Sequence, residues 1–207
     1  ASPTFDFAAN DDFSVEFWYN SPVASSKQEV VISRYISGSL RWHVDIINGS
    51  VRFLIQDGTT RSTFYGGNIT DGNWHHVTAT RNGTTGESKI YVDGNLTGTA
   101  TAFFTENFSS PTVNLEIGNL AGNLAGSYLL QGSLDEAAIH NVVLSPAEIQ
   151  QHYTNGLSGL GYYESAPKSA EISSSGFDSP KIEIHELKVY PNPFSDRLRF
   201  EFVAPAD

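Results

Sequence analysis

The chain contains no cysteine, and this absence excludes disulfides, thiolate metal sites and a cysteine nucleophile. Basic residues are also scarce, because 12 Lys and Arg stand against 23 Asp and Glu and leave a net charge of -11. Nucleic acids and anionic lipid headgroups attract cationic surfaces, so we expect no nucleic-acid partner and no polybasic membrane contact. No apolar run approaches the roughly 18 residues of a membrane span, so we expect no membrane insertion.

The chain also lacks a signal-peptide pattern, and its first residue is Ala1 rather than methionine. From this we expect a mature or excised piece of a longer precursor. Glycine and aromatic residues are plentiful by contrast, with 18 Gly, 13 Phe and 9 Tyr. That composition suits a β-sandwich with many turns.

Several short stretches carry apolar side chains at every second position, which is the pattern of a half-buried β-strand. These stretches are residues 13–19, 40–46, 51–55, 113–117 and 134–139. The dipeptides Asn48-Gly49 and Asp93-Gly94 are favoured in tight hairpin turns. The pattern therefore predicts an all-β fold of two packed antiparallel sheets.

One helix is predicted at residues 146–155. Ser145 and Glu148 have the spacing of a capping box, in which each side chain accepts a hydrogen bond from the other residue's backbone N–H. Ile149 and Tyr153 are four positions apart and share one helix face. We expect this face to hold the helix against the sandwich.

Four motifs occur in order along the first part of the chain. They are Asp-Phe-Ser-Val-Glu-Phe-Trp at 12–18, Asp-Gly-Asn-Trp-His-His-Val at 71–77, Ile-Tyr-Val-Asp-Gly at 90–94, and Gly-Ser-Leu-Asp-Glu-Ala-Ala-Ile-His-Asn at 132–141, which leads into Leu-Ser-Pro-Ala-Glu-Ile at 144–149. Together they resemble the laminin-G-like, concanavalin A-like jelly-roll family. The resemblance implies a two-sheet jelly-roll domain over residues 1–164. A strand that usually precedes the first motif looks missing or shortened.

The composition changes after this domain, because residues 165–184 are mainly small and polar and predict a linker. The sequence Lys-Val-Tyr-Pro-Asn-Pro-Phe-Ser-Asp at 188–196 then precedes an alternating stretch at 197–202. This end resembles the start of the C-terminal sorting domain of Bacteroidetes proteins exported by the type IX secretion system. The resemblance implies a truncated sorting domain at 185–207, forming the first strands of a second small β-sandwich. Its expected signal residues are Val189, Tyr190, Pro191, Asn192, Pro193 and Phe194.

Some proteins of the jelly-roll family are glycan hydrolases. Such enzymes need two carboxylates about 5 Å apart, or about 6.5 to 9.5 Å apart if they invert. Asp135 and Glu136 are adjacent on a predicted strand, so their side chains point to opposite faces. Neither a Gly-x-Ser-x-Gly nor a His-Glu-x-x-His motif occurs, which removes two common catalytic patterns. We expect that the chain is not an enzyme.

Asp135 is the candidate metal ligand. Asp135, Ala137 and Ile139 are two positions apart and would therefore share one face of a strand. This predicts a carboxylate on an apolar face. A buried carboxylate needs hydrogen bonds or a cation, and Ca²⁺ favours carboxylate oxygens. The family resemblance also implies an occasional calcium at this motif. Two interpretations stay open, a calcium site and a hydrogen-bonded structural aspartate.

The candidate ligand-binding residues combine aromatic and cationic side chains in predicted loops. They are Arg34, Tyr35, Arg61 and Tyr65. Loops carry binding residues disproportionately because a rigid scaffold positions them while their sequences vary.

The first functional hypothesis is a non-catalytic binding or adhesion module of a secreted or cell-surface protein. Its expected partners are a glycan or a surface protein, together with components of the type IX translocon during export. The alternative is a structural spacer or stalk that carries an upstream enzyme or filament and has no ligand. An enzyme is the third and least favoured hypothesis.

Overall fold

The computed structural model describes residues 5–21, 27–110, 112–120, 128–164, 186–191 and 198–203. The chain forms two compact units, Ala1–Tyr153 and Thr154–Asp207. The strands are β1 (Phe13–Asn20), β2 (Gln28–Ser37), β3 (Leu40–Ile47), β4 (Ser50–Gln56), β5 (Arg61–Asn68), β6 (Trp74–Arg81), β7 (Glu87–Val92), β8 (Asn95–Thr101), β9 (Glu116–Ile117), β10 (Ser133–His140), β11 (Glu186–Pro191) and β12 (Leu198–Val203). Helix α1 spans Pro146–Leu157.

The first unit is built on two antiparallel sheets of five strands each. Sheet 1 has the order β10-β1-β6-β7-β8, and sheet 2 has the order β5-β4-β3-β2-β9. The predicted fold class, two antiparallel sheets in a sandwich with one short helix, is confirmed. Every strand pair of the two sheets is antiparallel, as the hairpin turns require.

The core lies between the inward faces of the two sheets. Alternation along each strand sends every second side chain to this interface. The inward set includes Phe13, Val15, Phe17 and Tyr19 of β1, Trp42, Val44 and Ile46 of β3, and Val51, Phe53 and Ile55 of β4. Most outward positions of the same strands are buried as well, among them Glu16, Trp18 and Asp45, so the outward sides of the sheets are partly covered.

The segment before β1 enters the core without forming a strand in the described residues. Phe7 stacks on Phe13 with ring centroids 4.4 Å apart and forms an isolated bridge with Phe108. The carboxylate of Asp6 pairs with the guanidinium of Arg34. This segment therefore closes one end of the core through a stacked ring and an ion pair.

Two predictions about strands are wrong in detail. The stretch 113–117 forms only the two-residue strand β9, and strands β2 and β5 replace predicted loops. Strand β2 lacks alternation because the consecutive residues Val30, Val31 and Ile32 are all apolar as well as buried, which is typical of a strand covered on both faces.

Helix α1 begins with the predicted capping box. The backbone N–H of Ser145 donates to Glu148 Oε2 over 2.7 Å, and that of Glu148 donates to Ser145 Oγ over 3.3 Å. The helix ends in a Schellman motif, in which Gly159 has φ of 69° and Leu160 N–H donates to the Asn155 carbonyl. Glycine adopts this left-handed conformation without steric cost.

Strands β11 and β12 form an antiparallel hairpin in the second unit, with Val189 opposite Phe200. Pro191 is the last residue of β11, where its missing N–H is tolerated because a two-stranded hairpin has free edges. Val189 and Tyr190 belong to the same strand. The predicted signal residues Asn192, Pro193 and Phe194 and the predicted linker at 165–184 lie outside the described residues. None of the described helices is long and apolar enough to cross a membrane.

Candidate functional site

The outward positions of sheet 2 bring aromatic, cationic and amide side chains onto one surface. Alternation fixes this surface, because Val51, Phe53 and Ile55 of β4 point into the core and the residues between them point out. We call this surface the sheet 2 outer face. Its exposed members are Arg61, Thr63 and Tyr65, and its half-buried members are Tyr35, Arg41 and Gln56. His43, Asp45, Arg52 and Leu54 share the same parity but are buried.

One row of this face crosses four strands. The register places Tyr35 opposite Arg41, Arg41 opposite Gln56, and Gln56 opposite Arg61. The Arg41 guanidinium lies 5.3 Å from the centre of the Tyr35 ring, and its Nη2 donates to Gln56 Oε1 over 3.0 Å. Arg61 is exposed, and its Nε donates to Thr63 Oγ1 over 3.1 Å. The row therefore offers an aromatic ring, two guanidinium groups and an amide.

A second row is held together by an ion pair. Arg52 Nε donates to Asp45 Oδ1 over 2.8 Å, and Arg52 Nη2 also bonds Oδ2 of the same carboxylate. Burial alone would lower the pKa of Arg52, but the hydrogen bonds with Asp45 and Tyr65 raise it above its ordinary value. Tyr65 is 49% exposed. This pair is therefore neutral as a unit and holds Tyr65 at the surface.

The sequence led us to expect the four predicted ligand residues in loops, but the structure places them on strands. Arg34 and Tyr35 belong to β2, and Arg61 and Tyr65 belong to β5. Tyr35, Arg61 and Tyr65 share the sheet 2 outer face, so the structure brings three of the four together.

Arg34 is separate from this surface. It is 0% exposed, donates to the Val113 carbonyl over 2.5 Å and to the Ser110 carbonyl over 2.9 Å, and pairs with Asp6. A guanidinium without exposure has no surface for a ligand, so the prediction that Arg34 is a loop contact is wrong. Its bonds fasten the segments at Asp6 and Ser110 to β2.

Asp135 does not share the apolar face with Ile139, contrary to the sequence prediction. The register between β1 and β10 shifts between Glu16 and Trp18, and Glu136 adopts a positive φ of 49°. Such a β-bulge adds one residue and reverses the alternation beyond it. Asp135 therefore lies opposite Trp18 on the outward side of sheet 1, and its Oδ1 accepts from the Glu136 N–H over 2.8 Å.

The structure does not test calcium binding at Asp135 through carboxylates and other oxygen ligands together. No group of three or more His, Asp or Glu among the described residues is placed to hold a metal ion, whereas Ca²⁺ takes six to eight oxygens. Calcium binding at Asp135 stays a prediction.

A buried carboxylate with three imidazoles lies on the outward side of sheet 1, and the sequence analysis missed it. Glu16 of β1 is fully buried. Its Oε1 lies 2.6 Å from His140 Nε2, and its Oε2 lies 3.0 Å from His152 Nδ1 and 3.3 Å from His76 Nε2. We call these four residues the Glu16 cluster.

The electrostatics of this cluster keep the carboxylate ionised. Burial alone would raise the pKa of Glu16, but hydrogen bonds from His140, His76 and His152 outweigh it and lower the pKa to about 2. Because a buried charge is costly unless compensated, these histidines are what permit Glu16 at this position. The signal was available, since Glu16 has the opposite parity to the core residues Val15 and Phe17.

Helix α1 lies over the same outward side of sheet 1. Tyr153 stacks on Trp18 with ring centroids 5.8 Å apart, and Ile149 is buried with Tyr91 and Leu144. The predicted helix face at Ile149 and Tyr153 is thereby confirmed. The contact of His152 with Glu16 joins α1 to sheet 1.

His75 and His76 diverge to opposite sides of β6, as their adjacency predicts. His75 Nδ1 lies 2.8 Å from Asp93 Oδ2 and its Nε2 lies 3.0 Å from Asp71 Oδ1. The hydrogen bond with Asp93 is the main cause that raises the pKa of His75 above 6.5, and burial opposes it. This arrangement ties the loop at Asp71 to the hairpin at Asp93.

The family comparison covers most of the chain. A family model described as the concanavalin A-like lectin/glucanases superfamily, Laminin_G_3, matches residues 1–150. No curated protein matches the chain in sequence.

Solved structures resemble the chain at low sequence identity. The binding domain of Paraclostridial Mosquitocidal Protein 1 has a TM-score of 0.58 at 13% identity over 74% of this chain, which spans 39% of that domain. The heptameric SAP-like pentraxin of Limulus polyphemus has a TM-score of 0.55 at 14% identity, with 72% of each chain covered. The CBM40 domain of the Ruminococcus gnavus IT-sialidase, bound to alpha2,3 sialyllactose, has a TM-score of 0.58 at 16% identity over 70% of this chain and 90% of that one.

Proposed function

Because the chain belongs to the concanavalin A-like lectin/glucanases superfamily, we propose that its first unit is a non-catalytic glycan-binding module. The sheet 2 outer face is the binding surface, and the module works outside the cell or on its surface. The observation that carries this proposal is the gathering of Tyr35, Arg41, Arg61 and Tyr65 on one face of a rigid sheet.

The chemistry of that face suits a sugar. The rings of Tyr35 and Tyr65 offer flat apolar surfaces for the C–H face of a pyranose. Arginine, glutamine and threonine side chains beside them donate and accept hydrogen bonds with hydroxyl groups. The face thus combines aromatic surface with a few polar groups, as sites for small ligands do.

The similar structures support binding rather than catalysis. One is named as a toxin binding domain, and another holds sialyllactose in a sialidase's CBM40 domain. Within this chain, Asp45 lies on the proposed surface but is buried and bound to Arg52. Glycoside hydrolysis needs two available carboxylates flanking the sugar bond, and a carboxylate held by a guanidinium is a poor acid or nucleophile.

A glycan array with the full chain tests the proposal. We expect binding to at least one class of glycan, and we expect Tyr65→Ala to weaken it about tenfold, because an exposed ring that contacts a sugar is lost. Tyr163→Ala is the matched control, since Tyr163 is 75% exposed and does not belong to the sheet 2 outer face. Binding to no glycan contradicts the proposal and favours the spacer hypothesis.

We also propose that the second unit carries an export signal for the type IX secretion system, with translocon components as its partners. The motif from Val189 to Phe194 and the separate β11–β12 hairpin support it. The 207-residue chain and a chain lacking residues 186–207, each behind the same signal peptide in a Bacteroidetes host that has this system, test it. The proposal expects only the 207-residue chain in the medium or on the cell surface, and equal export of both, or export of neither, contradicts it.

A further inference from the structure

The basic residues of the first unit are unevenly distributed. In its described part they are Lys27, Arg34, Arg41, Arg52, Arg61, Arg81 and Lys89. Arg34 and Arg81 are buried and serve the fold. Arg81 donates to the carbonyls of Ala9 and Ala102, each over 3.2 Å.

The basic residue on the outward side of sheet 1 is already paired. Lys89 Nζ lies 2.7 Å from Glu87 Oε2, so its charge is compensated by its neighbour on β7. Lys27 is exposed and directly precedes β2, and the other three basic residues are arginines on β3, β4 and β5 that point out from sheet 2. Apart from the buried Arg34 and Arg81, the arginines of the described first unit therefore all lie on the sheet 2 outer face.

Two of these three arginines have no carboxylate partner. Arg52 is neutralised by Asp45, whereas neither Arg41 nor Arg61 forms an ion pair with any residue that the structure describes. Arg41 Nε is buried and has no hydrogen-bond partner there. The whole chain has a net charge of -11, so acidic side chains are abundant, yet no acidic residue in the described part of the chain forms an ion pair with either of these guanidinium groups.

The spacing of the two arginines fits one or two sugar rings. Arg41 and Arg61 lie on either side of Gln56 in the same row. Two strand spacings separate their backbones by about 10 Å, and the Arg41 side chain reaches Gln56 between them. Tyr35, at the end of the row under the Arg41 guanidinium, supplies an aromatic surface beside the charge.

We infer that the sheet 2 outer face selects saccharides that carry a carboxylate, which Arg41 and Arg61 bind. This inference rests on the proposed glycan-binding function and names its ligand class. Guanidinium groups bind carboxylates with two parallel charge-assisted hydrogen bonds, which neutral sugars cannot form. The ligand carboxylate then fills the place that an acidic side chain occupies beside Arg52.

Calorimetric titration of the full chain with matched probes tests the inference. The probes are sialyllactose against lactose, and trigalacturonic acid against galactotriose. In at least one pair we expect the acidic probe to bind about tenfold more tightly or better. We expect Arg41→Gln/Arg61→Gln to remove that preference while the melting temperature is retained. Lys89→Gln, which removes a paired cation from the opposite sheet, is the control and leaves the preference unchanged.

The outcomes separate this inference from the proposed function. If neither acidic probe binds more tightly than its neutral counterpart, or if the double variant keeps the preference, the inference is wrong. Glycan binding on the array that is confined to neutral sugars overturns the inference and leaves the proposed function standing. The absence of any glycan binding overturns both.

Discussion

Nδ1 of His152 lies 3.0 Å from Oε2 of Glu16, although 136 residues separate them in sequence. This contact joins helix α1 to the outward side of sheet 1. The imidazoles of His152, His76 and His140 together surround the fully buried carboxylate of Glu16. The helix is therefore held by a charged contact as well as by the apolar packing of Ile149.

Glu16→Gln is expected to destabilise the first unit by about 3 kcal/mol, because three imidazoles lose the carboxylate that they surround. Urea unfolding at pH 7 measures the effect. Glu87→Gln is the control, since Glu87 is 43% exposed in its pair with Lys89, and exposed pairs contribute less than about 1 kcal/mol. Equal effects of the two substitutions contradict the account of the Glu16 cluster.

The stability from Glu16 is expected to depend on acid pH. Its folded pKa of about 2 lies below the ordinary value of 4.5. The contribution is therefore fully present above pH 4.5 and is lost as pH falls toward the folded pKa. The difference in unfolding free energy between wild type and Glu16→Gln is expected to shrink between pH 5 and pH 2. A constant difference over that range contradicts the prediction.

Tyr153→Ala is expected to cost about 1 to 2 kcal/mol and to expose Trp18, because the stacked ring above the indole is lost. Tryptophan fluorescence measures this directly, with a red shift of emission in the variant. Tyr163→Ala removes an exposed ring and is expected to leave the spectrum unchanged. An unshifted Tyr153→Ala spectrum means that something other than α1 covers Trp18.

Gly83→Ala is expected to destabilise the fold by about 2 kcal/mol through overpacking. A Cβ at Gly83 would lie 2.1 Å from the backbone carbonyl carbon and oxygen of Asn10, and backbone cannot move aside as a side chain can. A Cβ at Gly58 meets nothing within 4 Å, so Gly58→Ala is expected to be neutral. Thermal melting of both variants measures the effect. We expect a lower melting temperature for Gly83→Ala than for Gly58→Ala, and similar melting temperatures contradict the close packing of Gly83 against Asn10.

His75 is expected to titrate above its ordinary pKa of 6.5, because its imidazolium bonds Asp93 and Asp71. A raised folded pKa stabilises the protein fully below pH 6.5, and the benefit is lost as pH rises through the folded value. NMR titration of the His75 ring measures this pKa. Asp71→Asn is expected to lower it without removing the Asp93 bond, and a value at or below 6.5 in wild type contradicts the two-carboxylate arrangement.

Alternation predicted the strands whose two faces differ. Strands β1, β3 and β4 have a core face and a polar face, so their sequences alternate and were found. Strand β2 does not show this pattern because the run Val30 to Ile32 is apolar at every position, which erases the period of two. Strand β5 was missed because Gly66 and Gly67 weaken a pattern in which Ser62 and Phe64 are inward and Tyr65 is outward.

The sequence predicted three residues of the candidate site but not where they lie in the fold. Tyr35, Arg61 and Tyr65 were selected for their chemistry, and pairing of β2 through β5 brings them to one face. Arg34 was indistinguishable from them in sequence, because burial against Asp6 and Ser110 depends on long-range contacts. Asp135 was misplaced because a bulge at Glu136 cannot be read from alternation.

The position of a bound glycan tests the central claim most directly. Backbone amide NMR spectra of the full chain, recorded during titration with the tightest glycan from the array, locate the contact. The account predicts that the largest shift changes fall on β2, β3, β4 and β5 around Tyr35, Arg41, Arg61 and Tyr65. Shift changes concentrated around Asp135 and α1 on sheet 1 would contradict it.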